Sequence, residues 1–213
     1  MKILVTAGPT YEPIDPVRFI GNHSSGKMGI AIADEFAARG NQVTLVKGPT
    51  HLKAGDLVKE VKVQTAAQMF AACQQYFTDA DVIVFAAAVA DYTPKQVSET
   101  KIKKKEDSFS IELVKTTDIA GELGKQKQAH QVIVGFALET DNEQANAEDK
   151  LKRKNMDFIV LNSMRDEGAG FGHDTNRITI IDKNGNTAKF ELKPKAEVAK
   201  DIADYVSKMK GAQ

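Results

Sequence analysis

The chain has 213 residues, with 29 Lys+Arg against 29 Asp+Glu, and 42% of its residues are apolar. That length and composition describe a globular chain with a full core, exclude wholesale disorder, and argue against a dedicated nucleic-acid binder, which is usually basic. The longest apolar run, 82–90, has nine residues, far fewer than the roughly 20 that span a bilayer; the single cysteine, Cys73, rules out an intramolecular disulfide and fits a reducing cytoplasm.

Lys2 to Thr6 reads as a first strand, stopped by Ala7-Gly8-Pro9, and it lacks the apolar length of a signal peptide. Tyr11 to His23 holds Pro13 and Pro16 and reads as a long loop. Ser24 or Ser25 is placed to cap a helix whose apolar face is Met28, Ile30, Ile32, Ala33, Phe36 and Ala37. Gly40 ends that helix, and 42–46 is the next strand. Thr65 to Phe77 is a second amphipathic helix, and 82–89 is an apolar run of the kind buried in parallel sheets. The alternation continues with helix 118–127, strand 132–137, helix 144–154 and strand 158–161, and 196–209 closes the chain as a helix. Repeated βα units predict an α/β, Rossmann-like, mostly parallel sheet with helices on both faces, in one domain over 1–213. Two excursions, about 106–116 and 176–193, alternate apolar and polar residues, and the second turns at Asn184-Gly185. Both predict antiparallel strands outside the main sheet, forming a small subdomain or a dimer surface.

In such a sheet ligands gather beyond the carboxyl ends of the strands. Four segments with unusual composition emerge there: 7–29, 86–105, 136–141 and 162–172. The first holds Gly21-Asn22-His23-Ser24-Ser25-Gly26-Lys27-Met28-Gly29. It approaches a P-loop, but Met28 stands where a Ser or Thr would hold magnesium, and the glycines lie too far beyond the strand. The looser reading is that Ser24, Ser25, Gly26 and Gly29 open a helix whose amides favour a phosphate; the plain one is a helix cap. A dinucleotide site is the weaker second reading, because Gly-x-Gly-x-x-Gly is absent and no acidic residue follows the second strand.

Ala86-Ala87-Ala88-Val89-Ala90-Asp91 ends a strand in small residues and a carboxylate, which suits close approach of a ligand or merely a packed turn. Residues 95–105 carry five Lys and one Glu, either a solvated loop or a lid beside a phosphate. Phe136 is placed either to stack on a base or to fill the core. Lys150, Lys152, Arg153 and Lys154 either complement a helix dipole or bind phosphate. The four histidines lack metal-ligand spacing, so no protein-held metal is expected.

Together and in this order, Asp15-Pro16-Val17-Arg18, Asn22 to Gly29, Ala87 to Tyr92, Lys101-Ile102-Lys103-Lys104 and Gly135-Phe136-Ala137-x-Glu139-Thr140 resemble phosphopantothenoylcysteine synthetase. The resemblance covers nearly the whole chain. Because the chain starts at the first strand, it resembles the stand-alone bacterial form, and a separate phosphopantothenoylcysteine decarboxylase is then expected. The resemblance implies a cytoplasmic homodimer that joins 4′-phosphopantothenate to L-cysteine in coenzyme A synthesis. The implied co-substrate is CTP, with Mg²⁺ carried mainly by its phosphates, and the implied intermediate is an acyl-cytidylate. No nucleic acid and no membrane take part.

By the same resemblance, Asn22 contacts the acyl group and governs turnover of the acyl-nucleotide, and Lys101 is the catalytic lysine of a mobile flap. Ala87, Ala88 and Asp91 line the phosphopantothenate and nucleotide site. Arg18 reaches the pantothenate phosphate from the neighbouring subunit. Ser24, Gly26, Gly29, Phe136 and Asn162 contact the nucleotide, as do Asp118, Ile119 and Ala120, while Lys150 and Lys154 hold the triphosphate. Thr116-Thr117 stands where the family more often has Asn-Pro, and Leu138 replaces a common alanine. A binding module without catalysis would need neither Asn22 nor Lys101.

Overall fold

A computed structural model of the chain describes residues 1–104, 108–139, 141–163 and 173–211. The elements in chain order begin with β1 (Lys2–Ala7), β2 (Tyr11–Pro13), β3 (Phe19–Gly21), α1 (Lys27–Ala38), β4 (Gln42–Lys47), β5 (Lys59–Lys62) and α2 (Ala66–Phe77). There follow β6 (Val82–Phe85), β7 (Tyr92–Pro94), β8 (Leu113–Lys115), α3 (Ile119–Gly124), β9 (Val132–Glu139) and α4 (Glu143–Arg153). The last are β10 (Phe158–Ser163), β11 (Thr175–Asn176), β12 (Ile178–Asp182), β13 (Thr187–Lys189), β14 (Lys193–Pro194) and α5 (Lys195–Gly211).

Eight strands form one sheet in the order β13–β12–β10–β9–β6–β1–β4–β5. From β1 the chain builds outward through β4 and β5 on one side and β6, β9 and β10 on the other, all parallel. Alternation within the strands decides which helices cover each face. Ile3, Val5, Val82, Val84, Val132 and Val134 pack with α1 and α5, whereas Leu4, Ile83, Ile133 and Ile159 pack with α2, α3 and α4. The result is the expected Rossmann-like α/β architecture with two apolar layers. Cys73 is buried in α2, where burial pushes its thiol up to about 12, so it has no reactive part to play.

The helix boundaries follow local chemistry. Thr65 caps α2 in a full capping box with Gln68, and Asp118 caps α3 through Gly121 N–H. The cap of α1 differs from expectation. It is Gly26, in the left-handed region at φ 79°, and neither Ser24 nor Ser25 is the cap residue. Ser24 Oγ instead accepts from Gly26 N–H at 3.2 Å, tightening the turn that leads in. Gly29 lets α1 lie directly on β1: a Cβ there would stand 2.6 Å from Ala7 Cβ and 2.9 Å from Thr6 O. Gly29→Ala is therefore expected to lower Tm. Overpacking costs about 1–3 kcal/mol, against roughly 1 kcal/mol gained in helix propensity. An unchanged or higher Tm would show that the helix can back away.

Three strand expectations change. The strands expected over 176–193 do not stand apart from the main sheet, because β12 pairs antiparallel with β10, from Phe158–Asp182 to Asn162–Ile178. Ile178, Ile180 and Ile181 are buried on both faces, which only a sheet position achieves. Of the excursion over 106–116, residues 106–107 lie outside the described residues, and only Leu113–Lys115 forms a strand, pairing with β7. Phe109, Leu113 and Val114 stay exposed, since a two-stranded ribbon has no second face to bury them. The loop expected over Tyr11 to His23 contains the hairpin β2–β3, with Tyr11 stacked on Phe19 at 3.8 Å between ring centroids.

Candidate functional site

The strand order reverses between β1 and β6, so the crevice for a ligand should open beyond their carboxyl ends. The segments leaving these strands are laced together. Ala88 N–H donates to Gly8 O at 2.9 Å and Thr10 N–H to Ala88 O at 3.3 Å. The hydroxyl oxygens of Thr6 and Thr10 accept from Ala87 N–H at 3.2 Å and Ala90 N–H at 2.9 Å. Thr116 Oγ1 donates to Ala90 O at 2.6 Å, tying in the approach to α3. Small residues at 86–88 make this crossing of backbones possible, and the composition of that segment had signalled it.

Beside this lacing lies a cavity of about 760 Å³, a size suited to a nucleotide. Eight of the expected residues line it: Ala87, Asp91, Asp118, Ile119, Ala120, Phe136, Lys150 and Lys154. Phe136 is half-buried there, so it serves the cavity wall as well as the core. Sequence reasoning missed Thr6, Lys115, Asn146, Asp149 and Met156 in the wall. Their only signal is adjacency to strand ends or to the cationic end of α4.

The remaining expected residues are not in its wall. Asn22 spans the lacing: its Nδ2 donates to Ala88 O at 3.0 Å and Val89 O at 3.2 Å. Both amide hydrogens are thereby used, and Oδ1 accepts from no group among the described residues. Ser24, Gly26 and Gly29 form the turn into α1 against Gly8 and β1. Asn162, at the end of β10, accepts from Asn176 Nδ2 at 3.1 Å, on the α1 side of the sheet beside Met28. The rest of the 162–172 segment, from 164 onward, lies outside the described residues, as do Lys105 and Thr140.

Arg18 and Lys101 come together through the chain. Arg18 pairs with the fully buried carboxylate of Asp15 and donates to Ile102 O at 2.8 Å, next to exposed Lys101. The Arg18 guanidinium holds the Asp15 carboxyl far below the usual carboxylate range. Within the chain, Arg18 bonds the lysine loop at Ile102.

Lys154 is not a bare cation, since its ammonium donates to Asp118 Oδ1 at 2.6 Å. Burial pushes the Asp118 carboxyl up, but Lys154, the Gly121 N–H and Arg153 together hold it below the ordinary range. Among the lining residues, Lys115, Lys150, Arg153 and Lys154 face Asp91, Asp118 and Asp149. The wall is therefore close to charge balance. No group of three or more His, Cys, Asp or Glu among the described residues is placed to hold a metal ion.

Fold and site together define a Rossmann-like α/β domain with a nucleotide-sized cleft at its switch point and a lysine loop tethered through Ile102 to Asp15 and Arg18. A family model, the DNA/pantothenate metabolism flavoprotein C-terminal domain, matches residues 1–209. A prokaryotic protein named cysteine/cysteine sulfinic acid decarboxylase is 57% identical over 94% of this chain and 56% of its own length. The coenzyme A biosynthesis bifunctional protein CoaBC of Haemophilus influenzae is 44% identical over 97% of this chain and 51% of its own. The crystal structure of a CoaBC C-terminal domain superposes with a TM-score of 0.85 at 40% identity, covering 100% of this chain and 96% of that one. The chain thus spans about half the length of the curated relatives it matches. It belongs to the DNA/pantothenate metabolism flavoprotein C-terminal domain family, and it is of the phosphopantothenoylcysteine synthetase type that its motifs resemble. No helix among the described residues is long and apolar enough to cross a membrane.

Proposed function

We propose that this chain ligates 4′-phosphopantothenate to L-cysteine with CTP, giving 4′-phosphopantothenoylcysteine, CMP and pyrophosphate. The observation that carries the reading is Asn22, fixed by two backbone carbonyls at the edge of the cavity, with the lysine loop anchored nearby. The pathway agrees with relatives named for coenzyme A biosynthesis.

In the first step a carboxylate oxygen of phosphopantothenate attacks the α-phosphorus, and the bond to the bridging oxygen breaks to release pyrophosphate. This step spreads negative charge over phosphate oxygens, so its barrier responds to positioned cations. Lys101 and its neighbours supply these from the loop, and Lys150 supplies one from the wall. Mg²⁺, when bound with the nucleotide, adds charge neutralisation on the phosphates. In the second step the neutral amine of cysteine attacks the acyl carbon, and the acyl C–O bond breaks to release CMP while the amine loses a proton. Asn22 Oδ1 is free to accept an N–H of that amine and hold it against the acyl carbon. Homodimer formation would use the exposed apolar residues of the β2–β3 and β7–β8 ribbons, among them Val17, Phe19, Tyr92 and Leu113.

Incubation with phosphopantothenate, cysteine, Mg²⁺ and either CTP or ATP tests the reading. The expected outcome is CMP and pyrophosphate in step with ligated product, with CTP preferred. Nucleotide binding without turnover would instead make the chain a binding module. Release of CO₂ from cysteine sulfinic acid without nucleotide consumption would favour the activity named for the 57% identical relative.

A further inference from the structure

Asp15 sits in the bend between β2 and β3, and its side chain is fully buried. Its Oδ1 accepts from Val17 N–H at 2.8 Å and Arg18 N–H at 2.9 Å. Its Oδ2 accepts from Arg18 Nε at 3.0 Å, from Arg18 Nη2, and from Ile102 N–H at 3.1 Å. Arg18 Nη2 also donates to Ile102 O at 2.8 Å. One Asp–Arg pair therefore takes both backbone polar groups of a residue more than 80 positions away in sequence. A second tie lies nearby, where Ser98 N–H donates to Ile14 O at 3.0 Å.

This is more than a turn needs. The Val17 and Arg18 amides alone would close the bend around Asp15, as Asx turns do. The surplus donors and acceptors are spent on Ile102, which is half-buried while Lys101, Lys103 and Lys104 around it are exposed. The bonds fall on the backbone of Ile102, the one residue of 101–104 that carries no ammonium. The ammonium groups stay free to face a ligand while their Cα positions are held. Arg18 Nη1 makes no bond among the described residues and its side chain is 45% exposed, so gripping Ile102 does not exhaust the guanidinium.

We infer that Asp15 and Arg18 are positioning residues, a clamp on the Ile102 peptide that sets where Lys101 stands relative to the cavity. The inference rests on the ligase reading for its catalytic consequence, but not for the clamp itself. Long flexible loops hold a side chain in many places, and each misplaced ångström weakens a charge meant for a transition state. A clamp at the adjacent peptide removes much of that freedom while leaving the lysine side chain its own rotamers.

The test uses the full chain as wild type, Asp15→Asn and Arg18→Ala. Limited trypsinolysis is followed by mass spectrometry at Lys101, Lys103 and Lys104, with Lys208 in α5 as a remote reference. Loss of one charge-assisted hydrogen bond corresponds to cleavage faster by roughly tenfold or more at the loop, with the Lys208 rate unchanged. In the ligation assay, kcat is expected to fall while KM for CTP stays within about twofold, as befits a misplaced group that acts in the transition state. Loop cleavage at the wild-type rate in a folded variant overturns the clamp. So does faster cleavage everywhere, which marks general destabilisation. A rise only in KM for phosphopantothenate, with loop cleavage unchanged, would assign Arg18 to the substrate phosphate alone and also overturn it. If Asp15→Asn does not fold, Arg18→Ala, at a partly exposed site, decides. Absence of ligation by the wild type would remove the functional reading and leave the cleavage result standing.

Discussion

Lys101→Gln should fold with a wild-type melting curve and lose product formation by roughly 10²–10³-fold, the scale of removing one preorganised electrostatic group. Folding should survive because Lys101 is exposed and the loop is held through Ile102, whose backbone the substitution leaves intact. Activity should not, because the cavity wall is close to charge balance, with Lys154 already committed to Asp118. Glutamine is one atom shorter and keeps two hydrogen-bond donors but removes the charge. The size of the loss therefore separates charge stabilisation from simple hydrogen bonding. The measurement is the initial rate of CMP and pyrophosphate release at saturating substrates, with a thermal melt as control. Turnover close to wild type would remove Lys101 from the mechanism.

The sequence made the parallel sheet legible because its strands are apolar on both faces and its helices carry one apolar stripe. It was less informative at the edges. β5, with Val61 alone between charged neighbours, has too little apolar alternation to announce a strand, yet it pairs in register with β4. Pro13 and Pro16 hide the β2–β3 hairpin, Pro13 at the end of an edge strand that need not donate on both sides and Pro16 in the bend. The hairpin β12–β13 is legible as a hairpin, but its pairing with β10 is not, because local pattern cannot say which neighbour a strand will find.

The site divides in the same way. Residues at strand ends, such as Ala87, Asp91 and Phe136, could be found from chain order and the switch-point rule. Partnerships across the fold could not. Nothing in the spacing of Asp118 and Lys154, or of Asp15 and Ile102, joins them. Some cations in the cleft wall are matched by local carboxylates, as Lys154 is by Asp118, whereas Lys101, Lys103 and Lys104 are exposed.

Asn22→Asp should let the acyl-nucleotide accumulate while the first half-reaction proceeds. In the wild type the two Nδ2 hydrogens are spent on Ala88 O and Val89 O, which fixes the orientation of Oδ1. Aspartate has nearly the same shape but offers oxygen where those carbonyls require a donor. Three partly negative oxygens then meet at the rim, and the side chain must turn away or draw in a proton or water. The first half-reaction depends on cations around the phosphates and should be slowed little. The second depends on holding a neutral amine against the acyl carbon, and losing that orientation costs on the order of a hundredfold. The slower second step then exposes the intermediate. Rapid acid quench of a reaction containing CTP and phosphopantothenate, with cysteine present, should show the acyl-cytidylate by mass in the variant and only traces in the wild type. Pyrophosphate should be released in a burst that runs ahead of ligated product. If quenched variant reactions contain no acyl-cytidylate, or if pyrophosphate and product fall together, Asn22 acts before the intermediate forms, and its bond to Ala88 and Val89 serves the architecture of the rim instead.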